Sequence, residues 1–428
     1  MSVSVRAGII VTGTEVLTGR VSDRNGPWLS ERLGELGVEV SHLIVVGDRA
    51  GDLDSGLSFL AGLGVDLVVT SGGLGPTADD ITANVVGRFA GRKMVLDEDM
   101  EARIAEIIAG FARRMKFDPE GLREGTRKQA MVPEGSIPLD PTGTAPGLVV
   151  PAGAVVVIVL PGPPRELQAM WPAAVAAAPV AEALRRADRM ALASMKMFGI
   201  PESTLAKSLR EVEEGGVELG RMEITTCLRR GSELEIDVRY RAEDEELLED
   251  LFAGLRERHS DHIYTESGES IDDLVAGLLV GHRLALGESC SGGKLAARLT
   301  DRPGSSAYFA GGVVAYSNEA KTELLGVSAE LLRVHGAVSN EVAEALADGA
   351  MATFGADLGI GVTGVAGPGG GGEAKPVGYV CICVKAADGR QLVRDPQLPG
   401  NREDVRDRSV SVAMHMLRRL LLGEDLPF

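Results

Sequence analysis

One pattern constrains this chain more than any other. An apolar run long enough for one strand meets a glycine-rich turn, and a helix starts beyond it. GIIVTG (8–13), VDLVVTSGG (65–73) and VVVIVLPGPP (155–164) all follow it. A short β-rich run without polar alternation reads as a strand buried on both faces. Such strands, alternating with helices at short spacing, make a mostly parallel sheet covered by helices. Open sheets of this kind collect ligands beyond the carboxyl ends of their strands. GTEVLTG (13–19), SGGLGPTADD (71–80) and PGPPRE (161–166) would all lie there.

Near residue 190 the pattern changes. SMKMFGIPESTLAKSL reads as a strand and a helix, and MEITTCLRR and SELEIDVRYR as two strands joined by a tight turn. EDEELLEDLFAGLRERH is an acidic amphipathic helix with a solvated face. TESGES (265–270) reads as a linker, after which HRLALGES, GGVVAY, ADLGIGVTG and GYVCICVKA restore the strand–helix rhythm. The expected organisation is an α/β domain over 1–172, a small α+β module over 190–264 and a second α/β domain over 268–428.

A chain of 428 residues can form several cores. Its net charge of −18 argues against nucleic acid and anionic membranes as partners. The first apolar run is too short for a secretion signal, and none approaches the ~20 residues of a membrane span. Cys227, Cys290, Cys381 and Cys383 make neither a disulfide framework nor a zinc pattern. The reading is a soluble, cytoplasmic protein.

In SGGLGPTADD, glycines let backbone approach a ligand, and a helix start offers unpaired N–H groups to an anion. Asp79 and Asp80 follow, and carboxylates beside a phosphate site commonly hold a divalent cation. The same residues also read as helix capping by Thr77 or Asp79. Arg165, in PGPPRE, is a candidate phosphate clamp.

The second cluster is PGSSAYFAGGVVAYSNEAK (303–321). GGVVAY ends at Tyr316, Ser317 or Asn318 caps the next helix, and Lys321 falls in its first turn. Ser306 lies in the turn before the strand, from which it could fold back onto the Tyr316–Lys321 corner. A serine with a lysine base is one known solution to nucleophile activation. An ordinary turn, strand and capped helix fits the same spacing. Cys290 reads as a buried structural thiol, Cys381 and Cys383 as core, and His259 and His262 as a solvated loop.

GTEVLTGR, SGGLGPTADD, RKQAMVPEG, GTAPG and LPGPPRELQAMW resemble the N-terminal domain of the CinA family (competence/damage-inducible protein A), itself similar to the three-layer MoaB/MogA molybdopterin-binding fold. That resemblance implies a metal-dependent ADP-ribose pyrophosphatase using Mg, Mn or Co, with K as a further ion. Asp80, Asp79 and Glu15 are the implied metal carboxylates, with Gly72, Gly73, Asn25 and Arg165 on the substrate. Arg24 stands where relatives usually carry Thr. GESCSGGKLAARLT, PGSSAYFAGGVVAYSNEAK, HGAVS, VTGVAGPGG and KPVGYV resemble the C-terminal CinA domain, which also exists alone as nicotinamide mononucleotide (NMN) deamidase. The resemblance implies a cofactor-free amidohydrolase with Ser306 as nucleophile, Tyr316 and Lys321 as base pair, and Thr363 as a further hydroxyl. Arg402, Arg406, Ser291, Gly292 and Gly367 are the implied substrate contacts. The small middle module resembles KH domains, and the expected assembly is a homodimer. The competing reading is a molybdopterin-binding or competence-related protein without hydrolase activity in its first domain.

Overall fold

The computed structural model describes residues 5–112, 119–188, 190–229 and 231–425. They form two compact units, Met1–Ala191 and Leu192–Phe428.

The first unit runs β1 (Arg6–Thr12), α1 (Thr14–Leu17), α2 (Asn25–Glu35), β2 (Glu39–Val46), α3 (Ala50–Gly62), β3 (Leu67–Ser71) and α4 (Thr82–Phe89). It continues through β4 (Met94–Leu96), α5 (Glu98–Ala112), α6 (Pro119–Gln129), β5 (Met131–Pro133), β6 (Ile137–Leu139), β7 (Gly147–Ala152), β8 (Val155–Leu160), α7 (Pro164–Ala176) and α8 (Ala178–Leu184). The main sheet has the order β2-β1-β3-β8-β7-β6. Its first four strands are parallel, because β1, β3 and β8 are apolar enough to be buried on both faces. Leu29, Leu33, Leu167 and Trp171 of α2 and α7 cover one face. Leu57, Leu60 and Val86 of α3 and α4 cover the other. At Gly8 a Cβ would meet Leu60 at 2.6 Å, so the glycine lets α3 sit close. β7 runs antiparallel to β8 through a turn at the left-handed Gly153, a hairpin outside the sequence reading, which starts its strand at Val155.

The second unit begins with a module of β9 (Ala191–Phe198), α9 (Glu202–Glu214), β10 (Glu223–Leu228), β11 (Glu233–Tyr240), α10 (Glu245–His259) and β12 (Ile263–Thr265). Its sheet order is β10-β11-β9-β12, with Leu205, Val212, Leu251 and Leu255 of the two helices packed on it. His259 corrects the solvated-loop reading. It is 9 % exposed, its Nε2 lies 2.8 Å from Ser208 Oγ, and burial pushes its pKa down.

There follow α11 (Ile271–Leu278), β13 (Leu284–Glu288), α12 (Lys294–Thr300), β14 (Phe309–Val314), α13 (Asn318–Leu325), α14 (Ala329–His335), α15 (Asn340–Phe354), β15 (Leu358–Gly364), β16 (Val380–Ala386), β17 (Gln391–Arg394) and α16 (Arg402–Leu422). The sheet order is β14-β13-β15-β16-β17. β14, β13 and β15 are parallel, and β16 and β17 return antiparallel. Residues of α11, α12 and α16 bury one face, and those of α13 and α15 the other. Cys381 and Cys383 are fully buried beneath α15 with Ala343 and Ala347. The module is tied to this sheet by His415 of α16, whose ring stacks on Phe198 at 3.8 Å. Arg298 adds a link, reaching Asp272 at 2.7 Å and Glu233 at 3.3 Å. Among the described residues no helix is long and apolar enough to cross a membrane.

Candidate active site

Three parallel strands of the C-terminal sheet end side by side. β13 runs into Ser289, β14 into Ala315 and Tyr316, and β15 through Thr363. Ser289 N donates to Val362 O and Ala315 N to Glu288 O, both at 2.8 Å, which pins the three ends together. Glu288 is 1 % exposed. Its carboxylate accepts from the backbone N–H groups of Gly293, Leu295 and Ala296 at 2.9–3.2 Å. This satisfies the orphan donors of α12 and closes ESCSGG into a tight turn.

Ser317 caps α13 by accepting from Ala320 N, and the helix ends at the left-handed Gly326. Lys321 therefore enters one turn into α13 and reaches back beneath the strand ends. It is 2 % exposed. Its Nζ donates to Ser289 Oγ at 3.1 Å, Ala315 O at 2.9 Å and Tyr316 O at 3.3 Å. None of these acceptors is a carboxylate. Desolvation dominates, and it holds the Lys321 pKa below the ordinary lysine value. The adjacent Cys290 thiol is pushed up to about 12 by burial, so it stays protonated, as a structural thiol would.

Most of the other expected residues surround this corner. Tyr316 OH accepts from Arg402 Nη2 at 2.6 Å, and Arg402 Nη1 donates to Gly367 O at 2.6 Å. Arg406 donates through Nε and Nη2 to Ser291 O at 3.1 and 2.8 Å. Gly292 is left-handed, and a Cβ there would lie 2.9 Å from Arg406 Nη2. Thr363 donates to Ala337 O at 2.7 Å. Ser291 Oγ is fully buried and has no partner among the described residues.

Ser306 is elsewhere. It sits in the single turn Ser305–Ala307 before β14. Phe309 pairs with Leu284 and Val314 with Glu288, so Ser306 lies past the amino end of β14 and Lys321 past its carboxyl end. Six strand residues at ~3.3 Å each separate them by about 20 Å. The expectation that Ser306 folds back onto Lys321 within one chain is therefore corrected, because the strand between them is extended. The hydroxyl on Lys321 belongs to Ser289, which the sequence reading passed over. Its signal was its place, one residue beyond an apolar strand at the mouth of a glycine turn.

In the first unit, a cleft of about 710 Å³ is lined by Glu15, Arg20, Asp23, Arg24, Asn25 and Ser71 together with the Gly162–Pro164 loop. Asn25 is 6 % exposed and ties three loops together. Its Nδ2 donates to Ser71 Oγ at 2.8 Å and to Gly162 O at 2.7 Å. Gly72 and Gly73 are both left-handed, and a Cβ on Gly72 would meet Thr12 O at 2.6 Å. Arg165 is exposed in the first turn of α7 and does not line the cleft.

The implied metal carboxylates do not converge. Thr77 Oγ1 lies 2.5 Å from both Asp79 Oδ1 and Asp80 Oδ2, and Thr77 N donates to Asp80 Oδ2 at 2.9 Å. The Thr77 hydrogen bond lowers the Asp79 pKa. These are the bonds of a local turn, and neither Thr77 nor Asp79 caps the helix, since α4 starts at Thr82 with Ile81 as its N-cap and no side-chain cap hydrogen bond. Neither aspartate lines the cleft that holds Glu15. Among the described residues no three His, Cys, Asp or Glu side chains come together as a metal site. The side chains present do not fit a divalent cation held by Asp79, Asp80 and Glu15.

Comparison with known proteins matches residues 8–181 to a probable molybdopterin binding domain and residues 269–421 to the CinA C-terminal domain. A CinA-like protein of Mycolicibacterium gilvum is 59 % identical over 423 residues, 98 % of this chain and 99 % of its own. A CinA-like protein of Mycobacterium tuberculosis is 54 % identical over 427 residues, 99 % of each chain. The crystal structure of a competence/damage-inducible protein from Agrobacterium tumefaciens is 38 % identical, with a TM-score of 0.34, over 35 % of this chain and 94 % of its own. Likeness along nearly its whole length places this chain in the CinA family, with a MoaB-like domain first and a CinA domain last.

Proposed function

We propose that the C-terminal sheet carries a cofactor-free amidohydrolase that converts the carboxamide of NMN to a carboxylate and releases ammonia, with Ser289 as nucleophile and Lys321 as base. The observation that supports this is the hydrogen bond between a buried lysine without a carboxylate partner and a serine hydroxyl. Neutral Lys321 takes the Ser289 proton as Oγ attacks the amide carbon. The protonated lysine then hands that proton to the leaving nitrogen, and ammonia departs. Water, deprotonated by Lys321, cleaves the acyl-serine. Ser291 Oγ supplies a free hydroxyl in the same turn for the developing oxyanion. Arg402 and Arg406 offer positive charge to the nucleotide phosphate, and Tyr316 and Thr363 complete the wall. Ammonia release from NMN in EDTA by wild type, and its loss in Lys321→Met, would support the reading. Undiminished release in Lys321→Met would sink it.

A second arrangement keeps Ser306 as the nucleophile and supplies it from another copy. β14 is the edge strand, and its sequence, FAGGVV, carries no charge or proline to block pairing. Antiparallel pairing of two such edges about Gly312 would bring Ser306 of one copy to the Tyr316–Lys321 corner of the other, making a homodimer.

For the first unit we read the cleft as a nucleotide-diphosphate site, with cleavage of ADP-ribose to AMP and ribose 5-phosphate as its reaction. Molybdopterin binding without turnover is the alternative, favoured by the description of the matching domain. Formation of AMP from ADP-ribose by the purified chain separates the two.

A further inference from the structure

The mismatch between the cleft and a three-carboxylate metal site points to another way of holding an anion. Arg20 and Arg24 both line the cleft. Both are exposed. Neither guanidinium has a carboxylate or carbonyl partner among the described residues. The carboxylates beside them are in part occupied. Asp23 Oδ1 accepts from Asn25 N and Gly26 N, each at 2.9 Å, and so caps the loop into α2. Glu15 folds toward Gly13, where a Cβ would sit 2.9 Å from its Oε1. The cleft thus offers two uncommitted cations. It also offers one buried, uncommitted acceptor, Asn25 Oδ1, which has no partner although Asn25 is 94 % buried. A buried acceptor left unpaired costs about 1–3 kcal/mol unless a ligand or water donates to it.

These features are complementary to one ligand class. A diphosphate bridge carries about two negative charges, and guanidinium forks match phosphate oxygens in pairs. A ribose hydroxyl or a ring amino group attached to that diphosphate is a donor of the kind Asn25 Oδ1 lacks. We propose that the N-terminal cleft recognises a nucleoside diphosphate through Arg20 and Arg24, with Asn25 Oδ1 accepting a ligand O–H or N–H. This recognition does not require a divalent cation. It rests on the diphosphate reading of the first unit and assigns the charge neutralisation there to arginine.

The test is calorimetric titration of the full chain with ADP-ribose and with inorganic pyrophosphate, in EDTA and again with Mn²⁺. Arg20→Ala and Arg24→Ala are measured alongside, with thermal unfolding midpoints as the fold control. Wild type should bind ADP-ribose in EDTA, and each variant should bind about 10-fold or more weakly at an unchanged midpoint, as loss of one charge-assisted contact implies. Pyrophosphate should compete with ADP-ribose, but its own binding should be weaker, because it offers Asn25 no donor. Binding of ADP-ribose only when Mn²⁺ is added would overturn the proposal and leave the diphosphate reading intact. Absence of binding with or without metal would remove the diphosphate reading itself. Undiminished binding in both variants would place the anion elsewhere and overturn the arginine assignment.

Discussion

Lys321 Nζ lies 3.1 Å from Ser289 Oγ, at a corner where three parallel strands end. Neither residue could be positioned by its own segment. Lys321 arrives from the helix after β14, and Ser289 from the turn after β13. Ser289→Ala should therefore abolish amide hydrolysis while leaving substrate binding nearly unchanged, because the hydroxyl is needed only as reaction begins. Turnover and binding constants measured on the same preparation check this. A large loss of affinity with turnover retained would make Ser289 a binding contact.

Burial lowers the Lys321 pKa from its ordinary 10.5. The folded chain then binds fewer protons than the unfolded one between the two pKa values. The stability linked to this group is present above the unfolded pKa and is lost as pH falls through the folded one. Activity should follow the same ionisation, rising with pH to a plateau reached below 10.5. A pH–rate profile with no such rise would remove lysine as the base.

Arg402 holds Tyr316 OH and Gly367 O at once, joining the strand end to the glycine loop. Arg402→Lys keeps the charge but loses the fork, and it should raise the KM for NMN by about 10-fold or more. Steady-state kinetics at fixed pH reads this directly. An unchanged KM would mean the arginine has no part in placing substrate.

Phe198 and Tyr264 of the module enclose His415 of the last helix, with ring centroids 3.8 and 4.7 Å away. Phe198→Ala should destabilise this unit by about 3–5 kcal/mol, the usual cost of truncating a buried phenylalanine. Burial also pushes the His415 pKa below 6.5. The associated stability is present above that value and lost on acidification, toward protonation of a ring that faces Glu233 and the cations Arg298 and Arg418. Urea unfolding at about pH 8 and about pH 5 should show the loss, and it should be smaller in His415→Leu.

How much was legible follows from the length scale of each feature. The parallel core could be read because β1, β3 and β8 are short, apolar on both faces and followed by glycine turns. The cap at Ser317 was legible for the same reason, since it is local. The β7–β8 hairpin was not, although Pro151 and Gly153 mark its turn, because β8 leading into its own glycine turn reads as one more strand–helix unit and gives no sign of an antiparallel partner. The Ser289–Lys321 contact was not legible, because it is made across parallel strands. Ser289 and Lys321 are 32 positions apart, and the spacing of Ser306, 15 positions from Lys321, fits an ordinary turn equally well, so its role came only from the family resemblance. The local bonds of the aspartates were hidden in a similar way. Their carboxylates meet Thr77 in their own turn, and only the folded loop shows that.

The most direct measurement is ammonia release from NMN by wild type, Ser289→Ala and Ser306→Ala in EDTA, with circular dichroism as the fold control. The account predicts that wild type releases ammonia, that Ser289→Ala is slower by ~10³-fold or more, and that Ser306→Ala keeps most of its rate. An active Ser289→Ala beside an inactive, folded Ser306→Ala would contradict it and move the nucleophile to the far end of β14.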